Sequence, residues 1–337
     1  MSRRSEPKKW WLYLGDGKPH DRIQDLPPPP PWRKSKGPAL ERPLLSDGAA
    51  PRFEASDDVI ELVNTALYLR RPLLVTGKPG SGKSSLAEAV AYELKLGRVL
   101  RWPINTRTTL QDGLYRYDAI GRLQEAALRR ERGQTSSGED SKSELELLKF
   151  LQLGPLGTAL APTKYPRVLL IDEIDKSDID LPNDLLNVFE EGEFEIPELT
   201  RLASAVGGDE VEVRTLDGKA PTQNGWVRCH AFPLVILTSN GEREFPPAFL
   251  RRCVQLELKE PDPEHLRNIV RAHLGEEAAT KAKILIQEFV ERRGKQVLAT
   301  DQLLNTIYLI TSVPGAEQDM EALRDILLKG LGNLGTP

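Results

Sequence analysis

The chain has 337 residues, which suits one large domain and one smaller domain, and its apolar fraction of 39% is sufficient for a buried core. A net charge of −4 argues against a general attraction to nucleic acid or to an acidic membrane surface, and no apolar run reaches membrane-spanning length. Cys229 and Cys253 lack metal-binding spacing, and no apolar signal-peptide region follows Met1, so we expect a cytoplasmic protein with reduced thiols.

Residues 1–52 differ in composition from the rest of the chain. They contain 10 of the 26 prolines, including the run Pro27–Pro31, and eleven Lys or Arg against six Asp or Glu. Five consecutive prolines favour an extended polyproline II conformation, and such a segment has little apolar surface with which to order itself. We expect a flexible, Pro-rich N-terminal extension. The alternative is a peptide that docks onto the core or a partner through its aromatic residues, which are Trp10, Trp11, Tyr13 and Trp32.

Globular sequence begins near Phe53. Asp57–Leu69 has apolar residues at helical spacing, and the residues at its start are suited to cap a helix. The apolar run of residues 72–76 predicts a strand, and residues 85–94 again show helical spacing. A glycine-rich loop lies between them, so the order is strand, loop and helix, which is the context that a phosphate-binding P-loop requires.

This loop has the residue types that binding of a nucleotide's phosphates demands. Its glycines allow backbone N–H groups to face a phosphate chain, and the dipole of the following helix adds to the same point. Lys83 is expected to reach the β- and γ-phosphates, and the Ser84 hydroxyl to hold Mg²⁺. The predicted site contains Gly77, Lys78, Pro79, Gly80, Ser81, Gly82, Lys83, Ser84 and Ser85.

Residues 99–103 predict a second strand. The region that follows, residues 105–166, is irregular and is expected to be an insertion in the compact scaffold. Its two predicted helices, residues 120–132 and 144–153, flank a polar loop.

Two carboxylates end the next buried strand. In Val168–Glu173 an apolar run leads to Asp172 and Glu173, which would lie at the carboxyl edge of a parallel sheet, where ligands bind. Asp172 suits a role on Mg²⁺, and Glu173 suits activation of an attacking water. The later buried strand 234–238 is followed by Asn240, whose amide could orient that water, although an asparagine in this place is otherwise an ordinary turn residue.

A second insertion is predicted at residues 193–232. Glu193–Ile196 and Val211–Arg214 alternate like exposed strands, and Asp217-Gly218 is a turn signal, so a hairpin is expected here.

Two adjacent arginines, Arg251 and Arg252, precede a strand over residues 254–258. Such a pair requires an anion. One interpretation is a surface salt bridge. The other is an arginine finger that enters a neighbouring subunit's site and stabilises transition-state charge.

The sequence changes character near Lys259–Pro263, and helices are predicted beyond this boundary. They cover residues 264–274, 278–293, 301–311 and 320–331, and apolar positions that include Ile284, Leu285, Phe289, Leu303, Leu304 and Ile307 suit a small bundle. We therefore divide the chain into the extension 1–52, a large domain 53–260 and a helical domain 261–337.

Together these residues resemble the AAA+ ATPases and, within them, the MoxR-like branch. Residues 77–84 match the Walker A motif, residues 168–173 match Walker B, and Asn240 matches sensor 1. The stretch 237–252 is similar to the branch's run from sensor 1 to the arginine finger, and Gly154–Gly157 is similar to its Gly-Pro element. The resemblance covers about residues 53–331.

The resemblance implies an α/β P-loop NTPase fold, in which a parallel sheet flanked by helices carries a small α-helical lid domain. ATP and Mg²⁺ would bind between the two domains and between adjacent subunits of a ring, usually a hexamer. The finger aligns with Arg252, and Arg251 is the second choice. Residues 105–166 and 193–228 correspond to inserts that usually face the pore or top of the ring. The branch also has a sensor 2 arginine near the start of the third lid helix, but residues 298–304 contain none.

MoxR-like proteins usually act as chaperones that remodel or activate protein complexes, often with a partner that has a von Willebrand factor A domain. This is the function that we expect. The first alternative is a nucleotide-controlled switch or scaffold in a signalling or defence assembly, which the missing sensor 2 arginine slightly favours. A DNA-directed motor is the second, and the acidic charge balance counts against it.

Overall fold

The computed structural model describes residues 6–33, 36–41, 53–131, 146–206, 210–293 and 298–312. Within these ranges the strands are β1 (Leu73–Thr76), β2 (Leu100–Pro103), β3 (Tyr115–Tyr117), β4 (Leu151–Leu153), β5 (Val168–Asp172), β6 (Glu193–Glu195), β7 (Glu210–Thr215), β8 (Gly218–Gln223), β9 (Trp226–Arg228), β10 (Leu234–Ser239) and β11 (Val254–Glu257). The α-helices are α1 (Asp57–Leu69), α2 (Lys83–Glu93), α3 (Leu110–Leu114), α4 (Ala119–Glu131), α5 (Pro155–Leu160), α6 (Leu181–Glu191), α7 (Pro197–Val206), α8 (Pro247–Leu250), α9 (Pro263–Leu274), α10 (Glu276–Lys281), α11 (Lys283–Arg293) and α12 (Thr300–Ser312). No helix in these ranges is long and apolar enough to cross a membrane.

Five parallel strands form the main sheet, in the order β11-β1-β10-β5-β2. Each is one of the strands that the apolar runs predict, so this part of the prediction is confirmed. Successive side chains point to opposite faces, and accordingly Leu169 and Ile171 enter one core whereas Val168 and Leu170 enter another. The carboxyl ends of β1, β10 and β5 lie side by side, which brings the predicted site residues to one edge.

Helices and a second sheet bury both faces of the main sheet, as continuous apolar strands require. On one face, α1 and α2 contribute Val63, Leu86 and Val90 to the core. On the other face, α5 and α6 contribute Leu156 and Leu185, and the second sheet packs against the same core.

The second sheet has six strands, in the order β3-β4-β7-β8-β9-β6. Its β7–β8 hairpin, with Thr215 paired to Gly218, confirms the predicted hairpin. The helix predicted over residues 144–153 is wrong in its described part, because a 3₁₀ turn at Glu146–Phe150 leads directly into β4. Leu151 and Leu153 are buried on one side of β4, so pairing with distant strands decides their conformation.

The two insertions differ in exposure. The tip of the β7–β8 hairpin folds back onto the main sheet, where Asp217 forms a buried ion pair with Arg167 at 2.7 Å. In contrast, α4 leaves the apolar side chains of Ile120, Leu123 and Leu128 exposed.

The described part of residues 1–52, here called the N-terminal segment, packs against the large domain. Trp11, Leu12 and Tyr13 are buried in the core that α1 and α2 form. The Asn64 side chain accepts hydrogen bonds from the N–H groups of Leu12 and Tyr13 at 2.7 and 3.0 Å and donates one to the Tyr13 carbonyl at 2.8 Å. The prediction of a flexible extension is therefore wrong for these residues, and the docked alternative describes them.

A second anchor of the N-terminal segment lies at the end of the P-loop helix. Glu93, the last residue of α2, is fully buried. Its carboxylate accepts hydrogen bonds from the N–H groups of Leu14, Gly15 and Gly17 at 2.5, 3.0 and 3.0 Å. A buried carboxylate needs such partners, so the segment completes the environment of α2.

The C-terminal helices α9 to α12 have a separate core that includes Leu266, Phe289, Leu303 and Ile307. The helix predicted over residues 278–293 is instead two helices, α10 and α11. Ile284 was expected in this core, but it is 64% exposed at the start of α11, because that turn presents Leu285 and Ile286 inward. The helix predicted over residues 320–331 lies outside the described residues.

Candidate nucleotide site

A cavity of about 750 Å³ lies between the carboxyl edge of the main sheet and the C-terminal helices. Its size is within the range of small-molecule sites. Every predicted P-loop residue from Pro79 to Ser85 lines it, together with side chains from β5, β10 and the C-terminal helices. The lining includes Phe53, Asp172, Glu173, Thr238, Asn240, His265, His273, Thr300 and Asp301.

The P-loop curves around the amino group of its own lysine. Lys83 donates hydrogen bonds through Nζ to the carbonyls of Gly77 and Lys78 at 2.7 and 2.9 Å. Gly82, at φ 88°, adopts a left-handed conformation that ends the loop and starts α2. The N-terminus of α2 therefore points into the cavity, as anion binding requires.

The electrostatic surroundings of Lys83 suit a phosphate ligand. Burial lowers the pKa of its amino group, and the nearby carboxylates of Asp175, Asp172 and Glu173 oppose that shift. Lys83 is also almost fully buried, so its charge is poorly screened by solvent.

Ser84 and Asp172, the two predicted Mg²⁺ ligands, are adjacent. The Ser84 hydroxyl donates to Asp172 Oδ1 at 3.0 Å, and the Thr238 hydroxyl donates to the same oxygen at 2.6 Å. Magnesium is commonly bound by one or two protein oxygens and keeps several waters, so this pair fits the ion. The described residues contain no group of three or more His, Cys, Asp or Glu side chains that could hold a metal. The remaining oxygen ligands would therefore come from water and from the phosphates of a bound nucleotide.

Glu173 has an unusual backbone conformation and a charged partner. It lies in the left-handed region at φ 61°, and its N–H donates to Thr238 Oγ1 at 2.9 Å. Its carboxylate pairs with Lys176 at 2.8 Å, and this hydrogen bond raises the pKa of Lys176. Thr238 thus connects Asp172 to Glu173. Thr238 is a polar residue near the end of the apolar strand β10, and this feature of the sequence could have identified it.

Asn240 is held by a residue that the sequence analysis did not select. Asp175, which is buried, accepts hydrogen bonds through Oδ2 from the N–H groups of Asn240 at 2.8 Å and Glu242 at 3.2 Å. Asp175 follows Asp172 by three residues, in the 3₁₀ turn Ile174–Lys176, and this spacing of carboxylates was its only signal. It fixes the backbone of the loop that presents Asn240 to the cavity.

Arg251 and Arg252 do not line the cavity of their own chain. Arg252 donates from Nε to Glu190 Oε1 at 2.7 Å and from Nη1 to the Ala248 carbonyl at 3.2 Å. Arg251 is exposed. The structure therefore brings together the P-loop, Asp172, Glu173 and Asn240, and it places the arginine pair elsewhere.

The start of α12 packs directly on the P-loop. A Cβ atom on Gly80 would lie 2.5 Å from the backbone nitrogen of Thr300, which explains the small residue at this position. Thr300 and Asp301 line the cavity where the resemblance implies an arginine, and no arginine occurs among the described lining residues. His265 and His273 of α9 line the same wall, and no motif in the sequence had indicated them.

Comparison of the sequence with models of protein families identifies the family of this chain. A sequence model described as AAA domain (dynein-related subfamily) matches residues 72–253, which is more than half of the chain. The chain belongs to this family. Its AAA domain contains the P-loop, Asp172, Glu173, Asn240 and both arginines. The match, the parallel main sheet and the C-terminal helices together show an α/β P-loop AAA+ fold with a helical lid. No curated protein matches the chain.

Membership of the AAA family has general consequences for function. Its domains bind and in general hydrolyse ATP, usually with Mg²⁺, and they commonly assemble into oligomeric rings. The chain is thus identified at this level as an AAA+ ATPase.

Proposed function

We propose that this chain is a MoxR-like AAA+ ATPase that hydrolyses ATP to remodel or activate partner proteins. The observation that carries the proposal is the connected set Ser84, Asp172, Thr238 and Glu173 at the wall of the cavity. Through the Thr238 hydroxyl it joins Asp172 to the backbone N–H of Glu173, the residue that carries the water-activating carboxylate. Catalysis of phosphoryl transfer depends on groups that are positioned in this way before the substrate binds.

Each residue has a defined role in this reaction. Lys83 exchanges the carbonyls of Gly77 and Lys78 for phosphate oxygens when ATP binds. Glu173 leaves Lys176 and accepts a proton from the attacking water at its carboxylate, while the Asn240 amide orients that water. Ser84 and Asp172 would hold Mg²⁺, which when bound would supply positive charge beside the phosphate oxygens.

The site is completed by a second subunit. Arg252, with Arg251 as the second choice, lies outside the lining of its own chain's cavity and is suited to act as an arginine finger in the cavity of its neighbour. Such a head-to-tail contact, repeated in every subunit, closes into a ring, and we propose a hexamer.

Movement between the domains couples hydrolysis to work. We propose that the large domain, residues 53–260, and the lid, residues 261–337, close on ATP because both line the cavity. Closure would move the insertions near residues 105–166 and 193–232 against a client protein. The exposed apolar side chains of α4 support such a contact, and a protein with a von Willebrand factor A domain is the proposed partner.

A second function, a nucleotide-controlled switch or scaffold, is supported by a specific observation. The Glu173 carboxylate is paired with Lys176, so this ion pair must separate before Glu173 can accept a proton from water, and the lid wall of the cavity has Thr300 and Asp301 in place of a sensor 2 arginine. Both features favour slow hydrolysis that a partner would accelerate.

The test is ATP hydrolysis measured against protein concentration for the wild type, Glu173→Gln, Arg252→Ala and Arg251→Ala. We expect specific activity to rise with concentration, Glu173→Gln to lose at least about 100-fold, and Arg252→Ala to lose at least as much. Mixtures of Glu173→Gln and Arg252→Ala should regain activity, because the Arg252→Ala subunit supplies the glutamate and the Glu173→Gln subunit supplies the arginine.

Other outcomes favour other assignments. If Arg251→Ala is inactive and Arg252→Ala is active, the finger is Arg251. A rate that is independent of concentration, with both arginine variants active, would remove the shared site and leave the switch as the better function. A rate that rises only when a partner is added would also support the switch.

A further inference from the structure

The N-terminal segment places one arginine against the end of α6. Arg33 is nearly buried and lies over the Phe232 ring at 5.7 Å. Its Nη1 donates to the Phe189 carbonyl and, at 3.5 Å, to the Glu190 carbonyl. These carbonyls belong to the last turn of α6, where they have no partner within the helix. Arg33 therefore caps this helix from a distant part of the sequence.

The same guanidinium group reaches the Glu190 side chain. Nη2 of Arg33 lies 3.8 Å from Oε1 of Glu190, and Nε of Arg252 donates to that same oxygen at 2.7 Å. Glu190 is thus shared between an arginine of the N-terminal segment and the candidate arginine finger. The hydrogen bonds of Arg252 use Nε, to Glu190, and Nη1, to the Ala248 carbonyl, and its side chain stays about one-third exposed, so it is accessible to another molecule.

Glu190 depends on these two cations for its position. It is near the C-terminus of α6, where the helix dipole disfavours a carboxylate, and Glu191 beside it adds a second negative charge. Its side chain is about 40% exposed, so solvent competes for it. Removal of Arg33 would leave a single, partly exposed ion pair, and such pairs are held weakly.

Arg33 itself is fixed by anchors on both sides. Before it, the Pro27 carbonyl accepts a hydrogen bond from Nη2 of Arg70 at 2.6 Å. After it, the N–H groups of Lys36 and Gly37 donate to the Cys229 carbonyl at 3.2 and 3.0 Å. The segment therefore holds Arg33 as a fixed point on the surface of the large domain.

We propose that Arg33 is a positioning residue for the ATPase reaction, and that it acts through Glu190 to orient Arg252 toward the neighbouring subunit. The inference rests on the proposed function, because Arg252 must enter a shared site for its orientation to matter. It assigns a role in hydrolysis to a segment outside the AAA domain match, which begins at residue 72.

The experiment compares Arg33→Ala with Lys36→Ala. Lys36 is the matched control, because it lies in the same segment and pairs with Glu191 and Glu193 at the same end of α6, but has no bond to Glu190. We expect Arg33→Ala to lower kcat about tenfold with little change in KM for ATP, since a displacement of about 1 Å can cost up to about 100-fold. Arg33→Lys should fall between the two, and Lys36→Ala should stay near the wild type.

A mixing measurement separates positioning from a structural effect. Arg33→Ala subunits retain their own Glu173, and Glu173→Gln subunits retain an oriented Arg252. Mixed rings should therefore recover hydrolysis at the Arg33→Ala sites. Glu190→Gln, which keeps the size of the side chain, should show the same loss and the same recovery, and it provides the test if Arg33→Ala does not fold.

The outcomes distinguish this inference from the proposed function. If Arg252→Ala is inactive but Arg33→Ala and Glu190→Gln match Lys36→Ala, the inference is wrong and the shared site stands. A loss in Arg33→Ala and Glu190→Gln that Glu173→Gln subunits do not restore would mean a structural role, and would also overturn the inference. If Arg252→Ala and Arg251→Ala both keep full activity, the shared site fails and the inference fails with it.

Discussion

The two halves of the proposed site are held in different ways. The nucleotide half, formed by the P-loop, Asp172, Glu173 and Asn240, is fixed by short hydrogen bonds between adjacent strand ends, such as the one of 2.6 Å from Thr238 to Asp172. The finger half, formed by Arg251 and Arg252, follows a helix of four residues and is held at the surface through Glu190. The N-terminal segment contacts both halves: it packs behind α2 of the nucleotide half, away from the hydrogen bonds that hold Asp172 and Asn240, whereas in the finger half it shares Glu190 directly with Arg252.

This difference indicates which half can be regulated. Buried hydrogen bonds to a carboxylate are costly to break, whereas a partly exposed ion pair is worth less than about 1 kcal/mol. Loss of a single surface contact should therefore alter the orientation of the finger half more easily than that of the nucleotide half.

The N-terminal segment is expected to be part of the folded core of the nucleotide half. Trp11→Ala should lower the free energy of unfolding by about 3–5 kcal/mol, because the side chain is 2% exposed and its loss leaves a cavity beside α1. Trp32→Ala is the control, since that side chain is 71% exposed, and it should change stability by less than about 0.5 kcal/mol. Urea titration followed by fluorescence measures both, and equal effects would mean that the segment is not integral.

Loss of Lys83 should affect binding more than any other single change in the loop. Lys83→Ala is expected to weaken ATP affinity about 100-fold, because a charge-assisted hydrogen bond contributes about 1.5–3 kcal/mol and tenfold corresponds to about 1.4 kcal/mol. Lys78→Ala should have a much smaller effect, since Lys78 is exposed and pairs with Glu260 at 3.0 Å. Titration with a fluorescent ATP analogue checks both variants, and similar losses would contradict the assigned role of Lys83.

The contrast between the halves also explains what the sequence could predict. The main sheet was predictable because its three central strands, β1, β10 and β5, are almost entirely buried and mostly apolar, so a local run such as 168–171 is sufficient evidence. The P-loop and the carboxylates followed, since parallel strands present their carboxyl ends at one edge.

Features that depend on distant partners were not predictable in the same way. Strand β4 has only three residues and is defined by its pairing with β3 and β7. The burial of Tyr13 depends on Asn64, which lies 51 residues away, and the support of Arg252 depends on Arg33. No local pattern encodes such contacts, because proximity in the fold, and not periodicity, creates them.

Asp175 should tune the nucleotide half without forming it. Asp175→Ala removes the acceptor for two backbone N–H groups, and we expect kcat to fall about tenfold with a small change in KM, because the loop that carries Asn240 loosens while the P-loop is intact. Asp178→Ala is the matched control, since Asp178 is exposed in the same loop. A large rise in KM with kcat unchanged would mean that Asp175 supports ATP binding instead.

The two thiols provide the most subtle measurement, because Cys253 directly follows Arg252 and Cys229 lies against the N-terminal segment. Burial raises the pKa of Cys229 and of Cys253 to about 12 from an ordinary value of 9.0. In the folded chain both stay protonated as the pH rises from about 9 toward about 12, whereas in the unfolded chain they ionise, so folding stability should decrease across that window. At pH 8 both should resist a thiol reagent until the protein unfolds.

Thiol labelling also reports on the N-terminal segment. The Cys229 carbonyl accepts hydrogen bonds from the N–H groups of Lys36 and Gly37, so loosening of that segment in Arg33→Ala should accelerate labelling of Cys229 relative to Cys253. If Cys229 and Cys253 are labelled at equal rates in Arg33→Ala, the segment stays in place. Any change in hydrolysis would then come from the Glu190 contact alone.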